Sequence, residues 1–100
     1  MSQKSASFER ALSRRLSELI PTLADPRIPV VVTVERVRLA PDGSSARVLV
    51  SALGDEEALA RLEQALNGAR GHLQREIARD LKSKKTPVLT FYADPMKVTP

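Results

Sequence analysis

Leu59, Leu62 and Leu66 are followed by Leu73, Ile77 and Leu81, and the two apolar series are separated by Asn67-Gly68-Ala69-Arg70-Gly71. No other feature limits the fold as strongly. Steps of three and four place each series on one side of a helix, but a glycine inside a helix costs roughly 1 kcal/mol relative to alanine. Two glycines and an asparagine in so short a stretch predict two amphipathic helices joined by a kink. The charge changes sign at the same place. Acids outnumber bases over residues 54–64, and bases outnumber acids over residues 65–85.

One hundred residues provide for one domain and one core. The expectation is a single domain over 1–100, with its core at about 6–94 and a short tail at 95–100. Phe8, Phe91 and Tyr92 are the only aromatic residues, so the core must be built from Leu, Val, Ile and Ala. That composition suits a thin two-layer fold. The absence of cysteine excludes disulfides, thiol nucleophiles and zinc–thiolate sites. No apolar run is long enough to span a membrane, and Met1-Ser2-Gln3-Lys4 lacks the apolar core of a signal peptide. A cytoplasmic protein without a membrane partner is expected.

The remaining elements follow in chain order. Phe8, Leu12, Leu16 and Leu19 predict an amphipathic helix over 6–20, ended or bent by Pro21. Its outer side carries Glu9, Arg10, Arg14, Arg15 and Glu18. Asp25-Pro26 marks a turn, and the β-branched run over 28–40 predicts a long strand. Val30, Val32 and Val34 share one parity while Val37 and Leu39 share the other, which predicts a bulge between Val34 and Val37. Pro41-Asp42-Gly43-Ser44 turns the chain into an alternating strand, Ala46, Val48, Val50 and Ala52, completing an antiparallel hairpin. Arg36, Arg38 and Arg47 project from it into solvent. Asp55 caps the next helix, with Glu56 and Glu57 in its first turn. A basic loop over 82–87 leads to a third strand over 88–93, closed by Asp94-Pro95. The order is α-β-β-α-α-β, an α+β fold. The crossover predicts a last strand parallel to the second, hence a three-stranded mixed sheet with its helices on one face.

Catalytic chemistry finds little to use. His72 is the only histidine, so neither a metal cluster nor a histidine-assisted nucleophile can be assembled around it. Asp25, Asp42 and Asp94 each precede Pro or Gly, where turn chemistry accounts for them. No P-loop or dinucleotide-binding loop is present. The chain is expected to be no enzyme and to carry no cofactor.

Basic residues offer more. On a helical projection Arg75, Arg79 and Lys82 fall within a narrow arc opposite the Leu73–Ile77–Leu81 stripe, and Lys84 and Lys85 extend the charge into the loop. Gly68-Ala69-Arg70-Gly71 fits the GXXG loop of KH domains, which clamps a nucleic-acid backbone between two helices. The element order matches the type II KH arrangement. The expected RNA-binding set is Gly68, Ala69, Arg70, Gly71, Arg75, Arg79, Lys82, Lys84 and Lys85, with the glycines admitting phosphates and Arg70 standing at the tip. The alternative is a protein-interaction module of the same fold, docking a partner at a sheet edge or on the first helix.

Several separated signals together resemble the ribosome-binding factor A family of bacterial maturation factors. They are Asp25-Pro26-Arg27-Ile28, Val32-Thr33-Val34-Glu35-Arg36-Val37, Ala46-Arg47-Val48-Leu49-Val50-Ser51 with Gly54, and Pro87-Val88-Leu89-Thr90-Phe91 with Asp94. Ala69-Arg70-Gly71 matches the Ala-X-Gly kink that replaces the KH loop in that family. Gln74 departs from it, standing where an arginine is common. The resemblance implies a KH-like domain that binds immature free small (30S) ribosomal subunits near the 5′ end of 16S rRNA and assists its maturation. It further implies importance for growth in the cold, release involving a partner GTPase, no catalytic step and a monomeric protein.

Overall fold

The computed structural model describes residues 3–81 and 85–96, with side chains from residue 6 onward. Helix α1 spans Gln3–Leu19 and closes in a single 3-10 turn, Ile20–Thr22. Pro21 bends the chain there without breaking it, because the first turn of a helix does not need the amide that proline lacks. Strand β1 is Thr33–Leu39, β2 is Ser45–Ala52, α2 is Glu56–Gly68, α3 is Arg70–Leu81 and β3 is Val88–Pro95. The sheet order is β1-β2-β3, with β1 antiparallel and β3 parallel to the central β2.

Three boundaries differ from the sequence expectation. The strand expected over 28–40 pairs only from Thr33, whose partner Ser51 lies one residue from the end of β2. Ala52 is all that remains of β2 beyond that pair, so residues 28–31 have no strand to pair with, Pro29 has no amide to offer, and Val30 and Val31 are exposed. Helix α1 begins before the expected start. Strand β3 continues through Asp94 to Pro95, because Ala52 of β2 still pairs with Pro95 and its carbonyl accepts from Met96 N–H at 3.0 Å.

The bulge lies where the valine parity places it. The register shifts between Val34 and Arg36, leaving Glu35 as the extra residue. Its carboxylate turns across the sheet to accept from Ser51 Oγ. The hairpin turn uses Gly43 at φ 73°, a conformation costly for any side chain, and Asp42 accepts from both the amide and the hydroxyl of Ser44. Those two bonds hold the Asp42 carboxyl below the usual carboxylate range. At the start of α2, Asp55 Oδ1 accepts from Ala58 N–H at 2.8 Å, the expected cap.

Alternation along the strands decides the layering. Val37, Ala46, Val48, Val50, Leu89 and Phe91 point to one side and are buried against Leu12 and Leu16 of α1, Leu62 and Leu66 of α2, and Leu73 and Ile77 of α3. All three helices therefore cover one face of the sheet. The opposite face, with Arg36, Arg38, Arg47 and Tyr92, is open.

Candidate nucleic-acid interface

The joint between α2 and α3 is one residue long. Ala69, at φ −88° and ψ 2°, leaves the helical region while keeping its N–H on the carbonyls of Ala65 and Leu66, at 3.0 and 3.1 Å. Leu73 N–H then bonds Ala69 O at 3.0 Å and starts α3. Gly68 is the last residue of α2 and Gly71 the second of α3, and neither has a positive φ. The kink expected at this stretch is thus made by Ala69 and not by either glycine. A shift of one ψ into the bridge region bends the axis, and alanine tolerates that. A Cβ at Gly68 would meet nothing within 4 Å, and one at Gly71 would meet only Arg75 Nη1 at 3.5 Å.

Arg70 is also placed differently. It is half-buried, its Nη2 donates to Asn67 Oδ1 at 3.1 Å, and its Nε is buried without a partner. It braces the joint instead of standing at its tip. Asn67 is the centre of this arrangement: Oδ1 accepts from Phe91 N–H at 2.9 Å and Nδ2 donates to Phe91 O at 3.1 Å. On either side, Glu63 accepts from Ala93 N–H and Gln74 from Leu89 N–H, each at 3.0 Å. Alternate amides of an edge strand point away from its partner, and here three successive ones are met by side chains. The kink lets α2 and α3 together follow that edge.

The outer side of α3 carries the charge. Arg75 and Arg79 are exposed, and the two acids of the helix are both engaged. Glu76 pairs with Arg79 at 3.2 Å, while Asp80 accepts from Arg15 Nε of α1. The bond to Asp80 raises the Arg15 guanidinium above its ordinary value and ties α1 to α3. Arg10 and Arg14 of α1 line the groove between these helices beside Leu81. Lys85 is exposed, and its charge helps to hold the Asp42 carboxyl low. Lys82 and Lys84 lie outside the described residues. His72 is exposed beside the joint. Among the described residues, no group of three or more His, Cys, Asp or Glu could hold a metal ion, and no helix is long and apolar enough to cross a membrane.

Residues 4–97 match the family model for ribosome-binding factor A. The chain belongs to that family. The ribosome-binding factor A of Agathobacter rectalis is 33% identical over 92 residues, covering 91% of this chain and 76% of that protein. The crystal structure of ribosome-binding factor A from Thermus thermophilus superposes with a TM-score of 0.79 at 38% identity, covering 96% of this chain and 99% of that one. A Thermus thermophilus ribosome-binding factor A homology model, fitted into a cryo-EM map of a 30S–RbfA complex, gives a TM-score of 0.67 at 36% identity over 100% of this chain and 99% of that one.

Membership in a ribosome-binding family, not a catalytic one, gives the basic side of α3 its interest. The Gln74 side chain holds the Leu89 amide, which an arginine, having no acceptor, could not do. Sequence reasoning missed Glu63, Asn67 and Gln74 as a set. Their spacing gave a signal, since Glu63 and Asn67 are four apart on the border of the Leu59–Leu62–Leu66 stripe.

Proposed function

We infer that this chain binds immature small ribosomal subunits and assists the maturation of 16S rRNA near its 5′ end. The observation that carries the reading is the outer side of α3. Arg75 and Arg79 face solvent there while Glu76 and Asp80 are occupied by neighbouring arginines. In ribosome-binding factor A of Thermus thermophilus, the complex is with 30S, and the shared family supports the same partner here. Phosphates would meet Arg75 and Arg79 directly, with Arg10 and Arg14 across the groove and Lys82, Lys84 and Lys85 at the end of the helix. Gly68, Ala69 and Gly71 shape the approach, with Arg70 bracing it from within. The first amides of α3, which lack intrahelical acceptors as in any helix, favour an anion at the same end. The work is binding and release without catalysis, by a cytoplasmic monomer that takes part in growth in the cold and is released with the help of a GTPase.

Sedimentation of tagged protein through bacterial lysate at low and higher salt tests this. The wild-type chain is expected to travel with free small subunits at low salt and to leave them as salt rises, because neutralised phosphates release counterions. The folded double variant Arg75→Glu/Arg79→Glu should stay at the top of the gradient; unchanged co-sedimentation would overturn the reading. Strand addition by a protein partner at β3 is disfavoured, since Glu63, Asn67 and Gln74 occupy that edge.

A further inference from the structure

The helix-free face of the sheet has a composition that solvent exposure alone does not account for. Across the three strands, Arg36 of β1 pairs with Leu49 of β2, which pairs with Tyr92 of β3. In the next row on the same face, Arg38 pairs with Arg47 and Arg47 with Thr90. Neighbouring positions in a row are about 4.8 Å apart and the rows about 7 Å apart, so three arginines lie within side-chain reach of one aliphatic and one aromatic side chain, flanking them on two sides. Arg36, Arg38, Arg47, Leu49 and Tyr92 line a common shallow depression.

Two features set this patch apart from an ordinary polar face. Like charges directly opposite one another on a sheet are destabilising, yet Arg38 and Arg47 are cross-strand partners. None of the three guanidinium groups has an ion pair or hydrogen bond among the described residues. Tyr92, on the edge strand β3 beside Leu49 and diagonal to Arg47, keeps 43% of its surface exposed. The acids of the same face, Glu35 and Asp94, lie beyond the Leu49–Tyr92 row and close the patch at that end, where Glu35 is engaged by Ser51.

We propose that this open sheet face is a second RNA-binding surface, which takes a single-stranded segment by stacking a base on Tyr92 and holding its phosphates with Arg36, Arg38 and Arg47. Charge complementarity calls for a polyanion, and the ring selects which one. An acidic peptide would satisfy the arginines and leave Tyr92 and Leu49 without a partner, whereas an unpaired base supplies a flat π-face for the ring and lies against Leu49. A duplex keeps its bases stacked inside and cannot use the ring. The surface lies on the opposite side of the molecule from α3, so the chain would hold two RNA segments with a sheet between them. Failure here leaves the reading of the α3 side intact, and the reverse also holds.

Tyr92 is the only tyrosine and the chain has no tryptophan, so intrinsic fluorescence reports on this site alone. A single-stranded oligoribonucleotide of about ten nucleotides is titrated while tyrosine emission and the anisotropy of a labelled RNA are followed together. The expected result is saturable quenching that persists in Arg75→Glu/Arg79→Glu and is lost in Arg36→Gln/Arg38→Gln/Arg47→Gln. Tyr92→Leu, which keeps an apolar strand residue and removes the ring, should weaken binding about tenfold in anisotropy. Binding without quenching, quenching that survives in the triple variant, or equal quenching by an oligoglutamate peptide at the same salt would each overturn the proposal.

Discussion

Ala69 bends the helical region, and neither glycine beside it is required by backbone geometry. Both glycines therefore lower stability without a conformational return. Gly68→Ala and Gly71→Ala are each expected to stabilise the fold by about 0.4–1 kcal/mol, chiefly by restricting the unfolded chain. A calorimetric scan would register this as a melting temperature raised by a few degrees, and unfolding of either variant would show that the glycine is needed after all. At Gly71 the new methyl touches only the end of the Arg75 side chain, which can move aside. A second residue-scale case is Asp25, whose carboxylate accepts from the Arg27 guanidinium and from the Arg27 amide. The guanidinium bonds first, and then the amide, lower its pKa to about 2. A carboxylate with a depressed folded pKa supports the fold fully above its unfolded value of about 3.9, and that support fades as pH falls through the folded value. Carbon-detected NMR should give a midpoint near 2 for Asp25, moved up toward about 3.9 in Arg27→Ala. A midpoint left unchanged in that variant would assign the shift to the amide alone.

At the scale of elements, the edge of β3 explains why α2 and α3 are angled as they are. Asn67 offers Phe91 both a donor and an acceptor, as a neighbouring strand would. Removing it in Asn67→Ala leaves a backbone amide near the core without a partner, which costs about 1–3 kcal/mol. Hydrogen exchange should speed up at Phe91 ahead of Val48 in the central strand; equal protection in both proteins would deny Asn67 this role. The same edge shows what the sequence can and cannot disclose. Local periodicity carried the element order, the Asp55 cap, the Val34–Val37 bulge and the parallel last strand, because each depends on residues close in sequence or on a general rule of chain crossing. Strand pairing ends where the partner ends, so the true start of β1 at Thr33 depended on the length of β2. Contacts such as Asn67 with Phe91, 24 positions apart, or Arg15 with Asp80, 65 apart, have no local signature. For that reason Arg70 and Gln74 read as candidate RNA contacts, or as departures from one, when their observed partners are structural.

The molecule as a whole is a plate with extents of 37 × 31 × 18 Å, acidic at the start of α2 and basic along α3. Net charge is +4, and the question at this scale is whether RNA responds to that total or to its placement. The salt dependence of binding separates the two, since log K falls with log salt by about 0.7 to 0.9 for each phosphate neutralised. Arg75 stands without an ion pair among the described residues. Arg79 pairs with the half-buried Glu76, but its own side chain is 72% accessible, and ion pairs at the surface are worth about 0–1 kcal/mol, so a phosphate can compete with the glutamate for it. Arg75→Ala/Arg79→Ala should then reduce the slope by about 1.4 to 1.8. Arg61 supplies the control. It carries the same charge on the acidic helix α2, paired with Glu57, and lies outside the proposed interface, so Arg61→Ala removes one unit of net charge and should leave the slope as it was. If fluorescence anisotropy against small-subunit RNA gave Arg61→Ala half the slope change of the double variant, binding would follow net charge and the α3 side would lose its special standing. A slope altered only by the α3 variant would show that the protein reads phosphates through placed arginines.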